Sequence, residues 1–107
     1  MKATPQSGEV WFVDFGYDEK PRYALVAGNA ADARLAISSV VQITKQHGGT
    51  SYEVTLPRVP WLPEQSYVNA QSVQPVKWVE FVRKAPGQFS PAVMDDVKRA
   101  LKKWLDL

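Results

Sequence analysis

The sequence contains no cysteine and a single histidine, His47. The absence of cysteine excludes disulfide bonds and thiolate metal sites, and a lone histidine excludes a metal centre built from several imidazole ligands. No apolar run is long enough to span a membrane, and residues 1–6 lack the apolar core of a secretory signal. We therefore expect a soluble cytoplasmic protein with no membrane contact and no cofactor. Carboxylate metal sites remain formally open at this point.

Motifs of the common enzyme classes are also missing. The sequence has no serine–histidine–acid set, no phosphate-binding glycine loop and no paired-carboxylate motif. The formal net charge of +2 permits an acidic partner or a nucleic acid without requiring either. Hydrophobic residues make up 45% and aromatic residues 11% of the 107 positions. This composition predicts one globular domain over residues 1–107.

Short segments rich in β-branched and aromatic residues dominate the chain. Strands are predicted over residues 9–15, 23–28, 35–44, 52–56, 66–71 and 76–82. A turn is expected at 29–34, and the two glycines within 45–50 predict a hairpin connection. The three prolines within 57–64 exclude regular pairing there, and 83–88 is predicted to be a loop.

The last element is predicted to be a helix. Ser90 is a good N-cap and Pro91 suits the first helical position. Apolar side chains then recur at helical spacing on one face: Val93, Met94, Val97, Ala100, Leu101, Trp104 and Leu105. Trp104 is expected in the core or at a dimer contact. Several strands followed by one terminal helix predict a mainly β fold, a small antiparallel barrel with the helix packed on it.

The basic residues of the helix have two interpretations, an RNA site or a solvated face. They are Lys98, Arg99, Lys102 and Lys103. We favour the solvated face, because like charges near the end of a helix are usually in contact with water and complement the helix dipole.

Polar residues at predicted strand ends are the main candidates for function. Arg22 precedes the apolar run 24–27, and because a guanidinium is always charged, it should point outward at the mouth of the strand. A cation held there can bind a phosphate, although a solvated surface arginine is the alternative. Thr44 closes the strand over 35–44 and Gln71 ends the strand over 66–71. In a small barrel such ends crowd at one rim, so these residues are predicted to share a groove.

Three segments and the helix together resemble a known family. The segments are GEVWFVD at 8–14, PRYALV at 21–26 and VQIT at 41–44, and the apolar helix follows FSP at 89–91. In this order they are similar to the MazF/PemK toxin family over nearly the whole chain.

This resemblance implies a small SH3-like β-barrel with helices and a homodimer that cleaves single-stranded RNA at short sequences without metal. It also implies an antitoxin partner that blocks the groove, and operator DNA binding through the antitoxin complex. Arg22 matches the catalytic arginine of the family and Thr44 its catalytic threonine, whereas Gln71 matches a glutamine of a later strand.

The chain departs from the family pattern in several places. Tyr23 replaces the proline that usually follows the arginine, and the loop over 16–21 is shorter than in many members. The run after Gln71 lacks an arginine, and Ala70 replaces an acidic residue. The missing arginine motivates an alternative function, a non-catalytic SH3-like module that binds a peptide or a nucleic acid.

Five further residues are candidate substrate contacts. Lys20 and Lys45 are expected to contact phosphates. His47 is a general base or a phosphate contact in one interpretation and an exposed turn residue in the other. Trp61 and Tyr17 either stack on bases or antitoxin side chains, or fold back on the core.

Overall fold

The computed structural model describes residues 4–17, 19–28 and 34–107. The predicted turn over 29–34 therefore lies almost wholly outside the described residues. The elements are β1 (Glu9–Val13), β2 (Arg22–Val26), β3 (Ile37–Thr44), β4 (Glu53–Thr55), β5 (Tyr67–Asn69), β6 (Gln74–Lys77), β7 (Phe81–Gln88) and α1 (Pro91–Leu105). Short 3-10 turns at Ala70–Ser72 and Trp78–Glu80 flank β6.

All strand pairs in the sheet are antiparallel. The order is β4-β5-β3-β2-β1-β7, and β6 pairs with the first half of β3. The prediction of a mainly β antiparallel fold with a C-terminal helix is confirmed. The closed barrel is not confirmed, because in the described part of the chain no pairing joins β4 to β7.

Alternation along the strands separates two buried clusters. On one face Leu25 and Val41 pack with helix residues such as Val97. On the other face Ala24 and Val40 pack with residues of β1, β6 and β7. Because successive side chains of a strand point to opposite faces, neighbours in β2 and β3 enter different clusters.

The connection over 45–50 is not the predicted hairpin. It joins β3 to β4, but β5 lies between these two strands and pairs with both. The two glycines therefore indicate a turn correctly, but the prediction that the strands on either side of it pair with each other is wrong. Gly49 has φ +75°, a left-handed conformation that glycine adopts without strain.

The predicted strand over 76–82 and the predicted loop over 83–88 are wrong. The chain forms β6, turns at Trp78–Glu80 and then enters β7, which includes 83–88. Pro86 is tolerated because β7 is an edge strand, where a missing N–H breaks no ladder bond on its free side. The register of β7 against β1 also shifts in this part of the strand.

The helix begins as predicted. Ser90 Oγ accepts a hydrogen bond from the Val93 N–H at 3.3 Å, and Met94, Val97 and Ala100 are buried. Trp104 is 41% exposed and meets the Tyr52 ring edge-on, so it does not enter the core. Among the described residues, no helix combines the length and the apolarity needed to cross a membrane.

Candidate active site

Arg22 and Thr44 face each other across β2 and β3. The register pairs Val26 with Val40 and Ala24 with Gln42. Two residues further toward the strand ends, the same register puts Arg22 opposite Thr44. Directly opposed residues point to the same face of a sheet with Cβ atoms about 5 Å apart. The two side chains therefore project together from the end of the β2–β3 ladder.

An open groove of about 510 Å³ surrounds this pair. Its lining consists of Lys20, Pro21, Arg22, Ile43, Thr44, Lys45 and Gln46. Among the described residues, the lining includes three cationic side chains and no carboxylate, so the groove favours an anion. Lys45 also makes an exposed ion pair with Glu64, at 3.5 Å between Nζ and Oε2. An exposed pair of this kind contributes little and leaves Lys45 available to a ligand.

The Arg22 guanidinium is only lightly held. Its Nε donates to the Lys20 carbonyl at 3.5 Å, which is a long bond. Within the described ranges this is its single hydrogen bond, and it makes no ion pair there. Its terminal N–H groups are thus free for the bidentate contact that a guanidinium makes with a phosphate.

The Thr44 hydroxyl has a defined local geometry. Its Oγ1 accepts a hydrogen bond from the Gln46 backbone N–H at 3.1 Å. A hydroxyl that already accepts one bond keeps its own hydrogen for donation. Thr44 therefore offers a donor to the groove beside the Arg22 guanidinium.

His47 lies next to the groove. Its ring stacks on Tyr67 with centroids 4.6 Å apart and planes 18° apart. Its Nε2 lies 3.7 Å from Glu53 Oε1. Hydrogen bonds from the backbone N–H of Gly48, and then from Gly49 and Thr50, hold the pKa of Glu53 below its ordinary value.

Three other candidate residues lie away from the groove. Gln71 lies in the turn that follows β5, where its N–H donates to Asn69 Oδ1. The residue of β5 that pairs with Thr44 is Tyr67, which lies at the opposite end of the strand. The predicted strand over 66–71 ends at Asn69, and Gln71 is not among the residues that line the groove.

Trp61 and Tyr17 have different surroundings. Trp61 is half-buried against the core, with the Tyr23 ring at 5.5 Å and the Phe89 ring at 5.8 Å. It therefore adopts the folded-back alternative. Tyr17 is fully exposed and borders a separate shallow depression near Asp14.

Sequence reasoning missed Tyr67, Glu53 and Gln46. Tyr67 lies within the predicted strand over 66–71, but its position beside Thr44 could not be predicted, because strand order was unknown. Glu53 accepts hydrogen bonds from three loop N–H groups, a role that a carboxylate near a glycine-containing loop can take. Gln46 contributes through its backbone, which no side-chain pattern reveals.

These features define a small, mainly β protein whose groove presents a guanidinium and a hydroxyl to an anion. The model of the PemK-like, MazF-like toxin of type II toxin-antitoxin systems matches residues 6–105. The chain belongs to this family. Comparison with curated protein sequences gives no match.

Solved structures are similar over almost the whole chain. An endoribonuclease from a mycobacterial species, in complex with its cognate antitoxin, has 27% identity and a TM-score of 0.81, with 96% of each chain covered. A second mycobacterial endoribonuclease has 25% identity and a TM-score of 0.78, covering 98% of this chain and 94% of that one. MazF from Deinococcus radiodurans, at 22% identity, shares the fold with a TM-score of 0.81 over 99% of this chain and 100% of that one.

Proposed function

We propose that this chain is a toxin endoribonuclease that cleaves single-stranded RNA at specific sequences and without a metal ion. The observation that carries the proposal is the register that sets Arg22 opposite Thr44 within a basic groove. Membership of the toxin family and the similarity to a mycobacterial endoribonuclease support the same activity.

The proposed reaction takes its nucleophile from the substrate. The RNA 2′-hydroxyl attacks the neighbouring phosphorus, so that an O2′–P bond forms while the P–O5′ bond breaks. The 2′-hydroxyl loses its proton and the departing 5′ oxygen gains one, both by exchange with water in the open groove. The products are a 2′,3′-cyclic phosphate and a 5′-hydroxyl. The protein must hold the geometry for in-line attack and stabilise charge on the phosphate oxygens.

Arg22 and Thr44 divide this task. The guanidinium binds two phosphate oxygens, where negative charge increases in the transition state. The hydroxyl of Thr44 donates its hydrogen to a phosphate oxygen, while one of its two lone pairs accepts the Gln46 N–H. We assign Lys20 and Lys45 to the flanking phosphates, since both side chains line the same groove.

The proposal extends to partners and architecture. A cognate antitoxin that covers the groove is supported by the antitoxin complex of a similar mycobacterial protein. We also propose a homodimer, operator DNA binding through the antitoxin complex, and action on cytoplasmic RNA. The exposed apolar side chains of Val79 and Val82 support a subunit contact. We further propose an SH3-like barrel architecture, with the sheet open between β4 and β7 at the two ends of the strand order.

A non-catalytic binding module is the second candidate. It is favoured by the run after Gln71, which lacks an arginine, and by the distance of Gln71 from the pair on β2 and β3. Such a module would bind RNA or the antitoxin peptide in the groove without cleaving RNA.

Incubation with mixed-sequence RNA in EDTA separates the two candidates. The endoribonuclease gives fragments that end in cyclic phosphate, and Arg22→Ala lowers the cleavage rate by about 10²–10³, the usual loss for one charge-stabilising donor. Arg99→Ala is the matched control, because Arg99 lies on α1 in an exposed pair with Asp96.

The control variant should cleave like the wild-type protein. Near-normal cleavage by Arg22→Ala would reject the catalytic role of this residue. RNA that stays intact at micromolar wild-type protein, with retained binding, would favour the non-catalytic module.

A further inference from the structure

The stacked rings of His47 and Tyr67 lie immediately beside the candidate active site. Tyr67 pairs with Thr44 in the β3–β5 ladder, so both side chains project from the same face of the sheet. Adjacent strands are about 4.8 Å apart, which puts Tyr67, on which the His47 ring stacks, one strand from Thr44 and two from Arg22. This spacing is short enough for a base attached to the bound phosphate.

The loop that carries His47 is held by a carboxylate under it. Glu53 Oε2 accepts the Gly48 N–H at 2.8 Å, and Oε1 accepts the N–H groups of Gly49 at 2.7 Å and Thr50 at 3.2 Å. The Glu53 side chain is only 6% exposed. Charge-assisted bonds to three consecutive N–H groups order the loop before any ligand arrives.

The His47 ring is largely exposed on the side away from the stack. Tyr67 covers one face, and the His47 side chain is still 55% exposed. Among the ring pairs of the described residues, this is the one with nearly parallel planes, whereas the others meet edge-on or tilted. A flat ring that is already oriented by a second ring can accept a third in the same stack.

We propose that the outer face of His47 stacks on the nucleobase adjoining the phosphate held by Arg22 and Thr44. This inference rests on the proposed function and adds a base-binding subsite to it. Stacking accepts any base and supplies affinity, because every base has a π-face. Tyr67 supports the ring from below, and Glu53 is a positioning residue that acts through the loop.

The test uses a single-stranded oligonucleotide of 2′-deoxynucleotides that carries 2-aminopurine at successive positions. The protein cannot cleave it, and stacking quenches the fluorescence of the probe. We expect quenching by the wild-type protein at one position. His47→Ala should show no quenching at that position and bind the strand about tenfold more weakly. His47→Phe should quench and bind like the wild-type protein, because phenylalanine keeps an aromatic ring.

The salt dependence distinguishes stacking from a charge contact. If His47 were a phosphate contact, His47→Phe would bind as weakly as His47→Ala, and both would lower the slope of log K against log salt by about 0.7. That result would overturn the inference. Melting temperatures of both variants, compared with that of the exposed-site control Lys102→Ala, check that they are folded.

Failure of the inference can be told from failure of the proposed function. If Arg22→Ala abolishes RNA cleavage while His47→Ala binds and quenches like the wild-type protein, only the stacking subsite is rejected. If neither wild-type nor variant cleaves RNA, the nuclease is rejected, and quenching still reports whether His47 stacks on a bound strand.

Discussion

At the end of strands β2 and β3 that carries Arg22 and Thr44, the two faces differ in character, although both faces are buried further along these strands. On one face Tyr23 and Ile43 pack toward the helix and Trp61. On the other face their immediate neighbours, Arg22 and Thr44, meet in an open basic groove. The comparison shows that, at this end of the strands, a shift of one residue moves a side chain from the packed face to the groove, because the side-chain period of a strand is two.

The packed face should control stability without controlling cleavage. Trp61→Ala removes a ring that contacts Tyr23 and Phe89, and we expect a loss of about 3 kcal/mol in the free energy of unfolding. Urea denaturation measures this loss. Cleavage per folded molecule should stay close to wild type, and a large loss of rate with unchanged stability would put Trp61 in the site instead.

The groove face should behave in the opposite way. Thr44→Val keeps the shape of the side chain and removes its hydroxyl, so the cleavage rate should fall about 10- to 100-fold through the loss of one neutral donor. Stability should hardly change, since the bond from the Gln46 N–H lies at the surface. Single-turnover kinetics and thermal melting, run on the same preparation, check both expectations.

Acid should open the loop that borders the groove before it unfolds the packed face. The pKa of Glu53 is held below its ordinary value of 4.5 by the N–H groups of Gly48, Gly49 and Thr50. A carboxylate with a lowered pKa contributes stability that is full above its unfolded value and is lost as the pH falls through its folded value.

Amide exchange of Gly48 and Gly49 should therefore accelerate below about pH 4.5 relative to exchange in β2. In Glu53→Gln these amides should already exchange fast at neutral pH. Equal protection in the variant and the wild-type protein would show that the carboxylate does not hold the loop.

The smallest expected effect concerns a flanking cation. Lys20→Ala should weaken binding of an uncleavable single strand and reduce the slope of log K against log salt by about 0.7, the value for one phosphate contact. Lys98→Ala, on an exposed part of α1, is the control and should leave the slope unchanged. Identical slopes for both variants would remove Lys20 from the groove's phosphate contacts.

The sequence was most informative where a signal is local. β-branched and aromatic residues located most strands, and the cap at Ser90 with Pro91 located the start of the helix. The positions of Arg22 and Thr44 at strand ends also followed from local pattern. Their catalytic roles remain predictions, since neighbouring positions in a fold do not by themselves define a reaction.

What the sequence could not provide is strand order and edge position. The insertion of β5 between β3 and β4 depends on contacts far apart in the chain, and it determines that Tyr67 rather than Gln71 lies beside Thr44. The strand over 83–88 was missed because Pro86 and Gly87 disfavour a central strand but are acceptable at an edge.

A double-mutant cycle of Arg22→Ala and Thr44→Val on RNA cleavage tests most directly whether the two residues hold one phosphate. Groups that act on the same phosphate are coupled, so the double variant should be slower than Arg22→Ala alone by clearly less than the factor that Thr44→Val costs in the wild-type protein. If the loss in the double variant equals the product of the two single losses, the residues act independently, and a shared phosphate site is contradicted.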